Sequence, residues 1–123
     1  MNKEKKYLVM ESGDKAKLVA DWLDEKQGED IVMLDVSGFS SVTDQVLVVS
    51  ARGMKHAQAL ADHLLDQARE KTVEYLGMEG YRSAEWLLVD LNDVVVHIFQ
   101  KELRGFYNIE GMWAEARRTD YTA

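Results

Sequence analysis

Apolar positions recur at three- and four-residue steps in two stretches of the chain, as they do on one side of an amphipathic helix. The first stretch begins at Ser12 or Asp14, either of which can cap a helix N-terminus, and ends at Gly28. The second stretch follows Gly53, and its apolar positions are Ala57, Leu60, Ala61, Leu64, Leu65 and Ala68. The pattern therefore predicts two helices, each with one buried side.

Uninterrupted apolar runs are typical of strands that are covered on both faces. One run extends from Ile31 to Val36 and is broken only by Asp35, and another extends from Val46 to Val49. Residues 73–76 form a candidate short strand, and residues 77–83, with two glycines, predict a loop.

Two β-rich runs, at residues 86–91 and 94–99, are separated by Asn92-Asp93, whose side chains tolerate the left-handed conformation of a hairpin turn. This spacing predicts that one side of the hairpin is aliphatic and packs against helices. The other side carries Trp86, Leu88, Asp90, Val95, His97 and Phe99.

The C-terminal pattern predicts a short helix at residues 101–107 and further helical turns at 108–118. In these segments we expect Phe106 and Ile109 in the core, with Tyr107 and Trp113 at the rim of a contact surface. The predicted fold class is α/β, with a mixed sheet of about five strands and flanking helices. Residues 12–118 are expected to form one domain, with an N-terminal extension at 1–11 and a tail at 119–123.

The formal charge is −7, from 22 acidic and 15 basic residues, and such a balance disfavours contact with a phosphate backbone. The basic clusters, Arg117-Arg118 and Lys3, Lys5 and Lys6, lie at the two ends without interleaved aromatic residues. The charge therefore favours a basic protein as partner over nucleic acid.

The absence of cysteine excludes a disulfide, a thiolate metal site and a thiol nucleophile. Near the N-terminus the apolar run at residues 7–10 is too short for a signal peptide or a membrane span. We therefore expect a cytoplasmic protein.

The sequence contains no recognisable arrangement of catalytic residues. Nucleotidyl transfer requires two carboxylates two residues apart on a strand to hold Mg²⁺, and no acidic residue is followed by another at that spacing. His56 and His63 are seven residues apart on one helix, too far to share a metal, and are expected to be solvated. No cofactor is predicted.

Several sequence blocks together resemble the Iojap or ribosomal silencing factor family. These blocks are residues 30–37 (DIVMLDVS), 40–44 (SSVTD), Glu79-Gly80, Glu85-Trp86, 93–99 (DVVVHIF) and 104–113 (RGFYNIEGMW). The resemblance implies a nucleotidyltransferase-like fold without transferase activity. It also implies docking on the fourteenth protein of the large ribosomal subunit, a block on subunit joining, and repression of translation under nutrient limitation.

The second side of the hairpin is either core or an interface, and two polar residues favour the interface. Burying both Asp90 and His97 beneath a helix would cost a few kcal/mol unless each found a partner. The candidate partner-binding residues are Trp86, Leu88, Asp90, His97, Phe99, Asp44, Tyr107 and Trp113. Two alternatives remain: a nucleotide-binding protein or enzyme with Asp35, Asp44 and Asp90 around a metal, and a homodimer formed through the same face.

Overall fold

A six-stranded mixed sheet organises residues 7–122, the part of the chain that the computed structural model describes. The elements are, in order, α1 (Ser12–Glu25), β1 (Glu29–Asp35), β2 (Gln45–Ala51), α2 (Met54–Glu70), β3 (Gly77–Glu79), β4 (Trp86–Asp90), β5 (Val94–Gln100), α3 (Lys101–Tyr107), α4 (Ile109–Met112) and β6 (Arg117–Asp120). The strand order is β3-β4-β5-β2-β1-β6. Only the β2–β5 pair in this sheet is parallel. This architecture confirms the predicted α/β class. The N-terminal basic cluster of Lys3, Lys5 and Lys6 lies outside the described residues.

Helices α1 and α2 cover one face of the sheet with the apolar stripes that the sequence predicts. In α2, the buried residues are Ala57, Leu60, Ala61, Leu64 and Ala68. They share a core with the aliphatic side of the hairpin, which includes Leu87, Val89, Val96 and Ile98. Strand β2 is buried along its whole length, as expected for a strand between two layers.

The start of α1 corrects the predicted cap. The residue that flanks the helix is Glu11, and no side chain caps it; Ser12 lies inside the first turn. The buried Lys15 anchors this end of the helix, because its Nζ donates to the carbonyl oxygen of Leu91 and to Asp93, both at 2.6 Å. The start of α1 therefore has a tertiary contact through Lys15 and lacks the local side-chain cap that the sequence predicted.

The hairpin has the predicted register, with Leu87 opposite Ile98 and Val89 opposite Val96. Asn92 adopts the left-handed conformation expected of it, with φ of 77°. The loop after β1 packs on this turn, since the hydroxyl of Thr43 donates to the carbonyl oxygen of Asn92 at 3.1 Å.

The predicted strand at residues 73–76 is wrong, and β3 lies in the segment predicted as a loop. Val73 is buried in the main core, and its amide donates to the carbonyl of Ala68 and closes the end of α2. Pairing with β4 begins at Gly77, which lies opposite Asp90. The apolar signal at Val73 therefore reported packing below a helix end and not a strand.

The C-terminal segment contains the predicted α3, the short α4 and a strand that the sequence did not predict. Strand β6 pairs antiparallel with β1, from Asp35 opposite Arg117 to Val32 opposite Asp120. All four of its residues are exposed, so it lacks the apolar alternation by which strands are recognised. It is the sixth strand, where about five were expected.

Candidate docking face

The second face of the sheet is built from residues that lie side by side across the strands. One row contains Val32, Val48, His97 and Leu88, because these residues pair across β1, β2, β5 and β4. The next row contains Leu34, Val46, Val95 and Asp90. Register alone therefore brings Leu88, Asp90, Val95 and His97 together on one surface.

Cover on this face becomes incomplete beyond β2, where Phe99 of β5 is the last fully buried residue. The β1–β2 half, with Val32, Leu34, Val46 and Val48, is buried in a core that includes Ile109. On the β5–β4 half, the residues Trp86, Leu88, Asp90, Val95 and His97 stay partly accessible. These five residues are called the docking face below. Helices α3 and α4 have only seven and four residues, too few to roof the whole sheet.

Trp86 sits in a cluster of aromatic rings at one end of the docking face. Its ring centroid lies 4.8 Å from that of Tyr107, 5.3 Å from that of Phe99 and 5.9 Å from that of His97. Such separations are typical of favourable aromatic pairs. Phe99 is fully buried, which contradicts its prediction as a direct contact: it supports Trp86 from below.

Phe106 corrects a second expectation. It was predicted as core, but its side chain is 80% exposed and meets Tyr107 edge to face at 5.1 Å between centroids. Ile109, predicted as core, is buried. Adjacent residues on a helix point about 100° apart, so Phe106 and Tyr107 cannot both face the sheet.

A hydrogen bond joins the two polar rings of the face. The indole N–H of Trp86 donates to Nδ1 of His97 over 3.0 Å. Because indole nitrogen is only a donor, Nδ1 must carry the lone pair, and the ring is neutral with its proton on Nε2. Burial lowers the pKa of His97 to about 4, so the ring stays neutral at physiological pH.

Two other predicted contact residues, Asp44 and Trp113, lie outside the docking face. Asp44 lies at the hairpin-turn end, where its amide donates to the carbonyl of Asp93 at 3.1 Å. Trp113 packs on the buried β1–β2 half, away from the Trp86 rings. Val95 and the 82% exposed Val42 were not among the predicted contacts. The alternation along β5 already predicts Val95 on this side of the hairpin, whereas Val42 lies in a loop without periodicity.

The loop before Trp86 holds two residues with left-handed backbone. Gly80 has φ of 81°, and Ala84, which is fully buried, has φ of 56°. Ala84 is fixed by a bond from its amide to the carbonyl of Gly80 and by the Gln100 side-chain amide on its own carbonyl. A non-glycine residue in this conformation costs about 1–2 kcal/mol, so the surrounding contacts must hold it there.

Substituting Gly80 by alanine should lower the free energy of unfolding by about 2 kcal/mol, from left-handed strain and a steric clash together. A Cβ at this position would lie 2.2 Å from the carbonyl oxygen of Trp86. The measurement is urea unfolding. Gly13→Ala in α1 is the matched control, because a Cβ there meets nothing within 4 Å and alanine favours a helix. Equal stability of both variants would contradict this account of the loop.

The carboxylates that could have served a metal are not brought together. Within residues 7–122 there is no group of three or more His, Asp or Glu side chains arranged to hold a metal ion, so Asp35, Asp44 and Asp90 do not form the alternative site. The carboxylate of Asp35 instead accepts the hydroxyl of Ser37 at 2.7 Å, which lowers its pKa.

The two histidines of α2 are not simply solvated. The amide of Arg52 donates to Nδ1 of His56 at 2.9 Å, and Nε2 of His56 donates to the carbonyl of Lys26 at 2.9 Å. His63 contacts Glu25 at 2.7 Å. Both rings therefore tie α2 to the end of α1, and the prediction of solvated rings is wrong.

The fold is a mixed α/β domain, one face of which presents partly accessible apolar and aromatic side chains. The model of the family described as "Ribosomal silencing factor during starvation" matches residues 9–123. The chain therefore belongs to the ribosomal silencing factor family, whose members are non-enzymatic regulators of translation.

Individual relatives agree with this assignment. The chain is 43% identical over 104 residues to the ribosomal silencing factor RsfS of Bacillus subtilis, an alignment that covers 85% of this chain and 88% of that protein. A crystal structure of a protein from Chromobacterium violaceum is similar with a TM-score of 0.83 and 32% identity, covering 93% and 95% of the two chains. A mouse relative named "Mitochondrial assembly of ribosomal large subunit protein 1" is 26% identical over 94 residues, covering 74% of this chain and 41% of that protein.

Within residues 7–122, no helix is both long and apolar enough to cross a membrane.

Proposed function

We propose that this protein binds the large ribosomal subunit through the docking face, at the fourteenth ribosomal protein, and represses translation by excluding the small subunit. The observation that carries the proposal is the half-roofed sheet face, where Trp86, Leu88 and Val95 remain partly accessible beside the buried β1–β2 half. Membership of the silencing factor family supplies the ribosome as target, and the name of the mouse relative points to the large subunit.

Charge supports a protein as the direct contact rather than ribosomal RNA. Asp90 lies on the docking face, Glu85 and Glu79 are exposed beside it, and the whole chain carries a net charge of −7. An acidic rim around apolar anchors steers a lysine-rich protein surface and repels phosphate. Salt should therefore slow association more than it weakens the bound complex.

The mechanism is steric exclusion, because no chemical step is required of the docking face. A protein of 123 residues bound at the surface where the subunits meet would prevent their joining. In the cytoplasm this would lower the number of translating ribosomes when nutrients are limiting. Light scattering of mixed subunits measures their joining directly. The extent of joining should fall in proportion to the fraction of large subunits that carry the bound protein.

Replacing Trp86 by alanine should weaken binding to large subunits by about 2 kcal/mol, or about thirtyfold, as for an aromatic anchor residue of an interface. The measurement is co-sedimentation of the purified chain with separated subunits. The wild-type protein should pellet with the large subunit and not with the small one. Binding to neither subunit, or equally to both, would contradict the proposal.

Tyr81→Ala is the matched control for this variant. Tyr81 is also an accessible aromatic residue, but its hydroxyl donates to Asp62 of α2, on the opposite side of the sheet. The Tyr81→Ala variant should bind large subunits as the wild-type protein does. Circular dichroism on both variants separates loss of contact from loss of fold, and a well-folded Trp86→Ala protein that binds normally would exclude Trp86 as an anchor.

The identity of the partner protein can be tested by photo-crosslinking. A benzophenone amino acid at position 95, at the hairpin-turn end of the docking face, should crosslink to the fourteenth protein of the large subunit. The same group at position 65, on α2, should not. A crosslink from position 95 to ribosomal RNA or to another ribosomal protein would overturn the assignment of the partner.

A second copy of the chain is the competing occupant of the docking face. In that case the average mass measured by sedimentation equilibrium would rise with protein concentration. The Trp86→Ala variant would have a lower average mass at the same concentration. Dimerisation alone, without binding to large subunits, would replace the proposed function.

A further inference from the structure

The only titratable group on the docking face with a strongly shifted pKa is His97, and docking as such assigns it no role. Its ring is partly buried in the row between Val48 of β2 and Leu88 of β4. Its Nδ1 is already occupied by the indole N–H of Trp86 at 3.0 Å. A ring held in this way is poorly suited to bind a partner through the same nitrogen.

The bond has a consequence for Trp86. An indole N–H that lacks an acceptor must be solvated, and docking would then have to remove that water or find a new acceptor. With His97 as acceptor, the polar atom of Trp86 is satisfied within the chain before docking. The apolar part of the indole is then free for the partner.

The same bond restricts the orientation of the indole. Phe99 stacks against Trp86 at an interplanar angle of 30°, and Tyr107 lies 4.8 Å away. These ring contacts limit where the side chain can lie, and the hydrogen bond to His97 determines which edge of the indole points inward. A side chain that is already immobilised loses less entropy on binding, an effect on the order of tenfold in affinity.

We infer that His97 is a positioning residue of the docking face: it accepts the indole N–H of Trp86 and so presets the anchor for the partner. This inference rests on the proposed function, because it concerns how that same face is prepared. It assigns His97 to the support of Trp86 and removes it from the set of direct contacts.

Two substitutions separate the acceptor from the bulk of the ring. Asparagine at position 97 places its side-chain oxygen where Nδ1 of histidine lies, at the same number of bonds from the backbone. Leucine has similar bulk but cannot accept the indole N–H. We expect His97→Leu to weaken binding to large subunits about tenfold, and His97→Asn to recover most of that loss.

A double-mutant cycle with Trp86→Phe tests the mechanism, because phenylalanine keeps a ring but has no N–H. In the Trp86→Phe background, His97→Leu should weaken binding less than twofold. If His97→Leu costs the same tenfold in both backgrounds, the residue acts through something other than the indole, and the inference is overturned.

The free protein provides a readout that is independent of the ribosome. In nitrogen-15 spectra the indole signal of Trp86, assigned by its loss in Trp86→Phe, should shift in His97→Leu and exchange faster with solvent. In His97→Asn it should stay close to its original exchange rate. An unchanged indole signal in His97→Leu would overturn the inference.

These measurements keep the two proposals apart. If Trp86→Ala binds large subunits normally, the proposed function fails, whatever the spectra show. If Trp86→Ala loses binding while His97→Leu retains it, the proposed function stands and the positioning role of His97 is refuted.

Discussion

Replacing Arg104 by alanine should lower the free energy of unfolding by about 3 kcal/mol, the lower end of the cost of removing one partner from a buried ion pair, since this pair is only partly buried. Its guanidinium pairs with both oxygens of Glu110, at 3.0 and 3.2 Å. It also donates to the carbonyl oxygen of Asp30 at 2.6 Å and to the hydroxyl of Ser50 at 2.9 Å. The side chain of Arg104 is 12% exposed and that of Glu110 is 20% exposed, so solvent replaces these bonds only in part.

The same substitution should loosen the cover of the sheet, because Arg104 ties α3 and α4 to β1 and β2. Urea unfolding measures the stability, and hydrogen exchange should show faster opening of α3. Arg69→Ala is the matched control: its side chain is 70% exposed and lies 4.0 Å from Asp66, so the loss should be under about 0.5 kcal/mol. Similar losses in both variants would show that the Arg104 network contributes little.

Acidification from pH 6.5 to pH 4 should destabilise the protein by on the order of 3 kcal/mol through His97 alone. Burial lowers the pKa of this imidazole from 6.5 in the unfolded chain to about 4 in the folded protein. Between these values the unfolded state binds more protons, so stability is complete above pH 6.5 and falls as the pH drops. Below about pH 4 this group contributes no further loss.

The pH dependence of stability that His97 causes can be separated from the pH dependence that the carboxylates cause. Hydrogen bonds from the Tyr121 hydroxyl, Lys101 and the Ser37 hydroxyl lower the pKa values of Asp21, Glu29 and Asp35, respectively, from 3.8, 4.5 and 3.8. Stability linked to these groups is lost only as the pH falls through and below those ordinary values. His97→Leu should therefore flatten the curve between pH 6.5 and 4.5 and leave the steep part below it. An unchanged slope in that variant would contradict the role of His97.

The half-roofed sheet explains how one small domain can be stable and still present an apolar surface. The core between the sheet and helices α1 and α2 is continuous and buried, and it contains most of the large aliphatic side chains. The second core is smaller: it joins β1 and β2 to Ile109 of α4 and extends over β5 only at Phe99. Stability therefore depends mainly on one side of the sheet, which leaves part of the other side accessible for docking.

The amino-acid sequence by itself determined α2, the two buried strands and the register of the hairpin. Each of these depends on a local regularity, since helices repeat every 3.6 residues and strands every two. Asn92 is the clearest case, because its tolerance of positive φ follows from its own side chain. The same alternation predicts that Trp86, Leu88, Asp90 and His97 lie on one side of the hairpin.

Only the tertiary structure decided which of those residues a partner can reach. Phe99 is buried and Phe106 is exposed, the reverse of what their sequence patterns predicted, because α3 covers one ring and carries the other outward. Strand β6 had no apolar signal and forms through its pairing with β1. The limit of the cover over β5 depends on where segments distant in sequence meet, and periodicity describes only the conformation of neighbouring residues.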